Sequence, residues 1–174
     1  MTWKDRYGSA ATVEGFLEAV RENRGLWHRI WEGAAVDAGL LARARDLRAP
    51  TRLLALAEDW CMDSTNTVPY VARLAEAVEG WELRILGKEE NPDLMEGHLT
   101  EGKEAIPVIL VLDREYREVG WWGGRPQSLR GFFSKELEDL DEDARFAGLR
   151  GWYARDAGRS ALGELLSRVP PSRE

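Results

Sequence analysis

Apolar residues recur at helical spacing along the first part of the chain. One buried helical face is predicted where they follow the i, i+3, i+4, i+7 pattern, at Val13, Phe16, Leu17 and Val20. Thr12 directly precedes this run and is the predicted N-cap. Similar spacing recurs at Leu26, Trp27, Ile30 and Trp31, then at Leu40, Leu41, Ala44 and Leu47. We therefore expect three N-terminal helices, with Pro50 ending the helical region.

The middle of the chain alternates between short apolar runs and helical patterns. Strands are predicted at 53–57, 83–86, 107–112 and 116–122, and helices at 61–78, around Asn91-Pro92, and at 126–140. Pro69 lies inside the first of these helices and is expected to kink it. Only Asp113-Arg114-Glu115 separates the third strand from the fourth, so these two strands are expected to pair antiparallel.

The end of the chain carries one or two more amphipathic helices, around Leu149, Trp152 and Tyr153, then Leu162, Leu165, Leu166 and Val169. No Pro-, Gly- or Ser-rich stretch separates the three parts as a linker. The prediction is a single domain over 1–174, with an N-terminal helical extension at 1–49, a core at 50–140 and a C-terminal helical extension at 141–174.

Composition narrows the classes of function. The 174 residues are 44% hydrophobic and 32% charged, as in a globular protein, and the net charge of −7 argues against nonspecific nucleic-acid binding. No apolar run approaches membrane-spanning length, and residues 1–12 lack a signal-peptide core. A single cysteine excludes an internal disulfide, which fits a reducing compartment. We expect a cytoplasmic protein with neither nucleic acid nor membrane as a partner.

That single cysteine, Cys61, carries most of the chemical information. It lies in Glu58-Asp59-Trp60-Cys61-Met62-Asp63-Ser64, where the first apolar run ends and the long helical pattern begins. A thiol at a helix N-terminus is favoured as thiolate by unpaired amides and the helix dipole. The alternative for any lone cysteine is an inert residue packed as a small hydrophobe.

The order strand, helix, strand, helix, strand, strand, helix, with a cysteine at the first helix start, resembles the thioredoxin family. Trp60 precedes the cysteine as in the family's Trp-Cys-x-x-Cys motif, and Pro69 matches the proline that kinks the family's active-site helix. Ile106-Pro107 leads into the third strand, where the family has a cis-proline facing the thiol. Gly123-Gly124 follows the fourth strand, where the family has a glycine near its substrate groove. The resemblance covers roughly residues 50–140. It implies a thioredoxin fold: α/β, with a central mixed sheet of about four strands flanked by helices.

Two departures from the family pattern bear on activity. Ser64 replaces the resolving cysteine, and Ala55 lies near where thioredoxins bury a proton-transferring aspartate. The Glu-Asp-Trp-Cys-x-Asp-Ser segment, the Asn-Pro-Asp-Leu-Met helix and the N-terminal helical extension look like a bacterial monothiol branch of thioredoxin-like proteins. Those proteins keep the first cysteine and usually lack the second.

The resemblance implies a thiol–disulfide oxidoreductase with Cys61 as nucleophile. Ser64 would donate a hydrogen bond to the thiolate. The substrate surface would consist of Trp60, Ile106, Pro107 and Gly123, with Trp121 or Trp122 completing an apolar rim. Because no second cysteine is present, an external thiol such as glutathione must release Cys61 from a mixed disulfide. The expected partners are protein or low-molecular-weight thiols and disulfides, with no resident cofactor.

Three acidic residues lie close to the cysteine in the sequence. Glu58, Asp59 and Asp63 surround Cys61 with negative charge, so less lowering of its pKa is expected than in an uncharged motif.

Two other functions are alternatives to the oxidoreductase. One alternative is a binding or adaptor module that has lost catalysis. Another is iron–sulfur binding, with two chains sharing a cluster through Cys61 and glutathione. His28 and His98 lie far apart in sequence, and no metal site of ordinary spacing is expected.

Overall fold

The computed structural model describes residues 1–47 and 51–171. Its four strands are β1 (Arg52–Ala57), β2 (Glu82–Gly87), β3 (Val108–Leu112) and β4 (Glu118–Gly123). Its helices are α1 (Trp3–Ser9), α2 (Val13–Ala19), α3 (Arg24–Gly33), α4 (Ala38–Asp46), α5 (Met62–Ala77), α6 (Pro92–Gly97), α7 (Gln127–Phe132), α8 (Glu142–Asp156) and α9 (Arg159–Leu166). The predicted helix end at Pro50 lies outside the described residues, and no helix in the described ranges has the length and apolar character to cross a membrane.

The strands form one mixed sheet in the order β2-β1-β3-β4. β1 runs parallel to β2 and antiparallel to β3, while β4 returns antiparallel to β3 as its short turn predicts. In the register, Ala55 lies opposite Ile85 of β2 and Ile109 of β3. The expected mixed four-stranded sheet flanked by helices is confirmed.

The two faces of the sheet bury separate hydrophobic clusters. Successive side chains of a strand point to opposite faces, so Leu53 and Ala55 join one cluster and Leu54 and Leu56 the other. Helices α3, α5 and α9 supply Trp27, Leu74 and Leu165 to the first cluster, and α1 and α6 supply Tyr7 and Met95 to the second. Both faces are covered, which explains why β1 reads as a continuous apolar run.

The N-terminal extension contains one helix that periodicity did not predict. Helix α1 begins with a capping box, in which the Thr2 side chain accepts from Asp5 N–H and the Asp5 carboxylate accepts from Thr2 N–H. The chain then makes a single antiparallel bridge between Ala11 and Ile85, at the outer edge of β2. The cap predicted at Thr12 is present, because its side chain accepts from Gly15 N–H at 3.0 Å.

The predicted helix over 126–140 is divided in the structure. Regular helix α7 ends at Phe132, and a π-helical segment follows from Phe133–Leu137. The C-terminal extension then contributes α8 and α9, and a third cluster joins Leu129, Leu137, Leu149 and Tyr153. Met62, the first residue of α5, packs against this cluster. The C-terminal helices therefore reach the same helix end that carries the cysteine.

Candidate thiol site

Cys61 is the N-cap of α5, at the corner where the chain turns from β1 into the helix. Its sulfur accepts a hydrogen bond from Ser64 N–H, with the nitrogen and sulfur 3.4 Å apart. This places the sulfur at the end of the helix where the backbone amides are unpaired. The side chain is half-buried and belongs to no disulfide.

The thiol faces the segment that leads into β3. Cys61 Sγ donates to the Ile106 carbonyl oxygen at 3.7 Å, and the Ile106–Pro107 peptide bond is cis. Both Ile106 and Pro107 are buried. The Pro107 carbonyl accepts from Gly124 N–H at 2.8 Å, and Gly123 pairs with Val108. The structure therefore brings Cys61, Ile106, Pro107 and Gly123 to the same end of strands β1, β3 and β4.

The surroundings of Gly123 leave little room for a side chain at this position. A Cβ placed there would lie 3.2 Å from Val108 Cγ2 and 3.3 Å from Thr100 Oγ1, so a side chain at this position would crowd its neighbours. A surface cleft of about 530 Å³ starts beside Gly123 and lies along β4, with Leu99, Thr100 and Trp121 in its wall.

The pKa of Cys61 shifts in the direction opposite to the modest lowering that the sequence predicted. Burial raises the pKa of Cys61 above its ordinary value, and the negative charge of Asp63 adds to the rise. The Ser64 side chain and its N–H act in the opposite direction. Burial is the largest contribution, and it is a property of the folded chain that the local sequence does not reveal.

Ser64 occupies the position of the missing second cysteine. It is fully buried, and among the described residues its hydroxyl oxygen has no hydrogen bond of ordinary geometry. A buried hydroxyl without a partner is costly, and a neighbouring thiolate would accept a hydrogen bond from it. The Ser64 side chain is therefore placed to favour the charged form of Cys61.

The acidic residues around the motif are not equivalent. Glu58 Oε1 accepts from Glu89 N–H at 3.1 Å, and Asp59 Oδ2 accepts from two backbone N–H groups, those of Arg21 (2.8 Å) and Glu22 (3.0 Å). These two carboxylates bind backbone amides, so they do not all surround the sulfur as the sequence predicted. Of these three carboxylates, Asp63 is the one whose charge adds to the rise of the Cys61 pKa that burial causes.

Two residues beside the thiol were not predicted from the sequence. Arg125 Nε lies 3.1 and 2.9 Å from the two carboxylate oxygens of Asp63, and the Tyr153 hydroxyl donates to Asp63 Oδ1 at 2.7 Å. The guanidinium of Arg125 also covers the Phe133 ring, 4.7 Å from its centroid. Burial raises the pKa of Tyr153, so its hydroxyl remains a donor. These residues are 62 and 90 positions from Asp63, and no sequence pattern links them.

Of the two tryptophans predicted as alternatives for the aromatic rim, Trp121 is the one on the same face of the sheet as Cys61. Trp60 is 50% exposed directly beside the cysteine, and Trp121 packs with the cluster that Cys61 also contacts. Trp122 is wrong as a rim residue because it points to the opposite face, is 5% exposed and donates to Glu164 at 2.7 Å. Alternation along a strand sends neighbouring residues to opposite faces, so only one of the two tryptophans can reach the thiol side.

The remaining candidate residues, Ala55 and His98, are buried in the folded chain. Ala55 is fully buried in β1 between two isoleucines and offers no proton acceptor. His98 is buried, with its ring nitrogens 2.6 Å from the Leu94 carbonyl and 3.0 Å from Glu118 Oε1. Within residues 1–47 and 51–171, no group of three or more His, Cys, Asp or Glu side chains is arranged to hold a metal ion.

A mixed four-stranded sheet with a thiol at the β1–α5 corner, opposite a cis-proline before β3, defines the thioredoxin-fold class. The thioredoxin family model matches residues 10–141, which is more than half of the chain. The chain belongs to the thioredoxin family.

Solved structures agree on the fold. A protein of unknown function from Pseudomonas aeruginosa has a TM-score of 0.76 at 22% identity, with 97% of each chain covered. An HIV epitope-scaffold has a TM-score of 0.75 at 20% identity, covering 97% of this chain and 98% of its own. A search of curated proteins found no match. Because both identities are low, these similarities concern the fold alone.

Proposed function

We propose that the protein is a monothiol thiol–disulfide oxidoreductase, with Cys61 as nucleophile and an external thiol in place of the resolving cysteine. The observation that carries the proposal is the position of Cys61 Sγ, 3.4 Å from Ser64 N and 3.7 Å from the Ile106 carbonyl. The sulfur thus lies between amides that favour a thiolate and a segment with which an extended partner chain can pair.

The reaction has two exchange steps. The Cys61 thiolate attacks one sulfur of a partner disulfide R–S–S–R′; a new S–S bond joins Cys61 to R, the old bond breaks, and R′–S⁻ leaves and takes a proton from water. A reduced external thiolate, with glutathione as the candidate, then attacks the mixed disulfide at the R sulfur. This step forms a disulfide between R and the external thiol and returns Cys61 as thiolate. Over both steps one S–S bond is broken and one is formed: the R′ sulfur is reduced to a thiol, and the sulfur of the external thiol is oxidised in its place.

Each predicted site residue has a role in this scheme. Ser64 donates a hydrogen bond to the thiolate through its N–H, and its buried hydroxyl is available to donate a second one. The Ile106 backbone and Pro107 orient the partner chain, and Gly123 adds no side chain to this surface, where a Cβ would crowd Val108 and Thr100. The exposed indole of Trp60 supplies apolar contact next to the reacting sulfur.

The raised thiol pKa sets the conditions of the reaction. At neutral pH most of Cys61 is protonated, because burial favours the uncharged form. The exchange rate is therefore expected to increase as pH rises through and above the ordinary range of a cysteine pKa. Turnover also requires a reduced external thiol, so we place the activity in a reducing compartment such as the cytoplasm.

The test is reduction of a peptide that carries a glutathione mixed disulfide, with reduced glutathione as the electron source. Wild-type protein is expected to accelerate release of the peptide thiol, with a rate that increases with pH. Cys61→Ser must abolish the acceleration. Ser64→Ala keeps the backbone N–H and is expected to slow the reaction without abolishing it. A wild-type rate equal to that of Cys61→Ser would refute the proposal.

The second candidate is a non-catalytic binding or adaptor protein that keeps the groove. The observation in its favour is that burial holds the thiol in its protonated form, while Ala55 removes the aspartate that thioredoxins use for proton transfer. Under this hypothesis Cys61→Ser keeps partner binding and any cellular phenotype. Loss of either in that variant rejects a purely non-covalent role. Iron–sulfur binding between two chains stays a prediction.

A further inference from the structure

Asp63 is an unfavourable neighbour for a reactive thiolate. It lies two residues after Cys61, in the first turn of α5, and its side chain is only 17% exposed. A partly buried carboxylate is poorly screened by salt, so its charge opposes ionisation of a nearby thiol. It would also repel any anionic thiol that approaches Cys61. A positive charge that neutralises Asp63 therefore favours both exchange steps.

Arg125 supplies that charge from the loop between β4 and α7. Its Nε approaches both Asp63 oxygens, and its side chain is 28% exposed, so the pair is shielded from bulk water. Stacking on the Phe133 ring holds the guanidinium in one orientation. A further element holds the carboxylate: the Tyr153 hydroxyl donates to it from α8 at 2.7 Å, and the Thr67 side chain lies near that hydroxyl.

We propose that Arg125 is a positioning residue for the Cys61 reaction: it neutralises and orients Asp63, with Tyr153 of the C-terminal extension completing the arrangement. The inference rests on the proposed function and extends it. It assigns a role to the C-terminal helices, which place a donor on the active-site helix from 90 residues further along the chain. The groups that face Cys61 itself are Asp63, Ser64 and the Ile106 carbonyl, so Arg125 acts on the sulfur through Asp63.

The test compares the pH profiles of Cys61 alkylation in a double-mutant cycle. Arg125→Met keeps a long apolar stem on Phe133 and removes the charge. We expect the apparent pKa of Cys61 to rise by about one unit, with roughly tenfold slower alkylation at neutral pH. Asp63→Asn in the Arg125→Met background is expected to return the profile to that of the wild type or lower.

Further variants separate charge from folding. Arg125→Lys keeps the charge without the two-contact geometry and is expected to give a smaller rise. Tyr153→Phe removes one Asp63 partner and is expected to shift the profile in the same direction; it decides the question if Arg125→Met does not fold. Arg117→Met, which removes an exposed ion pair with Asp113 in the β3–β4 turn, is the matched control and should leave the profile unchanged.

Two outcomes overturn the inference. The first is an unchanged profile in Arg125→Met or, where that variant does not fold, in Tyr153→Phe. The second is a rise that persists after Asp63→Asn is added, since this would mean that Arg125 acts on the sulfur directly. Mixed-disulfide formation with glutathione disulfide is measured on the same proteins. Its absence from the wild type refutes the proposed function, whereas a wild type that forms the adduct with an unchanged Arg125→Met profile refutes only the inference.

Discussion

Asp59 connects the N-terminal extension to the segment that carries the thiol. We therefore expect replacement of its side chain to lower the free energy of unfolding by an amount that its hydrogen bonds determine. Its carboxylate accepts from the N–H groups of Arg21 at 2.8 Å and Glu22 at 3.0 Å. Its carbonyl accepts from Trp27 Nε1 at 2.9 Å and from Asn23 Nδ2 at 3.3 Å. Four bonds thus converge on a residue two positions before Cys61.

Asp59→Ala removes only the two carboxylate bonds. Hydrogen bonds to a charged group contribute about 1.5–3 kcal/mol each when buried, but these amides are partly exposed to water, which replaces part of the interaction. We therefore expect a loss of about 1–3 kcal/mol in the free energy of unfolding, measured by urea denaturation with the same m-value as the wild type. Asp59→Asn keeps an accepting oxygen without the charge and should lose less than half as much.

The matched control is Glu18→Ala, which removes an exposed carboxylate from α2 in the same extension. It is expected to change stability by less than about 0.5 kcal/mol. If Asp59→Ala is as stable as this control, the carboxylate bonds do not hold the extension to the active-site loop, and the reasoning is refuted. A change in m-value would instead show that the variant alters the cooperativity of unfolding.

The remaining predictions concern the missing cysteine, a crowded glycine and the effect of pH. Ser64→Cys should close a disulfide with Cys61 and gain disulfide-reductase activity, because Ser64 N lies 3.4 Å from the sulfur; an oxidised variant that shows only adducts with the oxidant contradicts this. In thermal melts, Gly158→Ala should cost about 2–4 kcal/mol, since a Cβ would clash with the Tyr70 ring at a φ of +76°, whereas Gly131→Ala, where the helix surface is open, should be neutral or slightly stabilising. Iodoacetamide should alkylate Cys61 more slowly than it alkylates free cysteine at pH 7. The pH dependence of the rate should give an apparent pKa above that of free cysteine; an equal or lower apparent pKa contradicts the role of burial.

Periodicity predicted the elements whose faces are buried against the sheet. The runs that became β1 and β3 are apolar without interruption, and α5 has a regular buried face, so local pattern and tertiary packing agree. Helix α1 was missed because Trp3 and Tyr7 are its two large apolar residues, which is too few for a periodic signal, whereas α2, of the same length, carries Val13, Phe16 and Leu17. Its Thr2-x-x-Asp5 capping box was nevertheless readable in the sequence.

The site was predictable where it depends on neighbours in the chain and not where it depends on contacts between distant elements. The Cys61 corner follows from a strand ending at a helix N-terminus, and the family resemblance pointed to Ile106-Pro107. The Asp63, Arg125 and Tyr153 contacts join three elements, and pattern analysis has no means of pairing them. Burial of the thiol, which reverses the expected pKa shift, is likewise a result of packing.

The most direct measurement is the intact mass of the protein after incubation with glutathione disulfide, at neutral and at alkaline pH. We expect one glutathione per chain, bound through Cys61, with faster formation at the higher pH and complete release by reduced glutathione. Cys61→Ser provides the blank. A wild-type chain that remains unmodified under both conditions, or an adduct that reduced glutathione does not remove, would contradict an exchange function for this thiol.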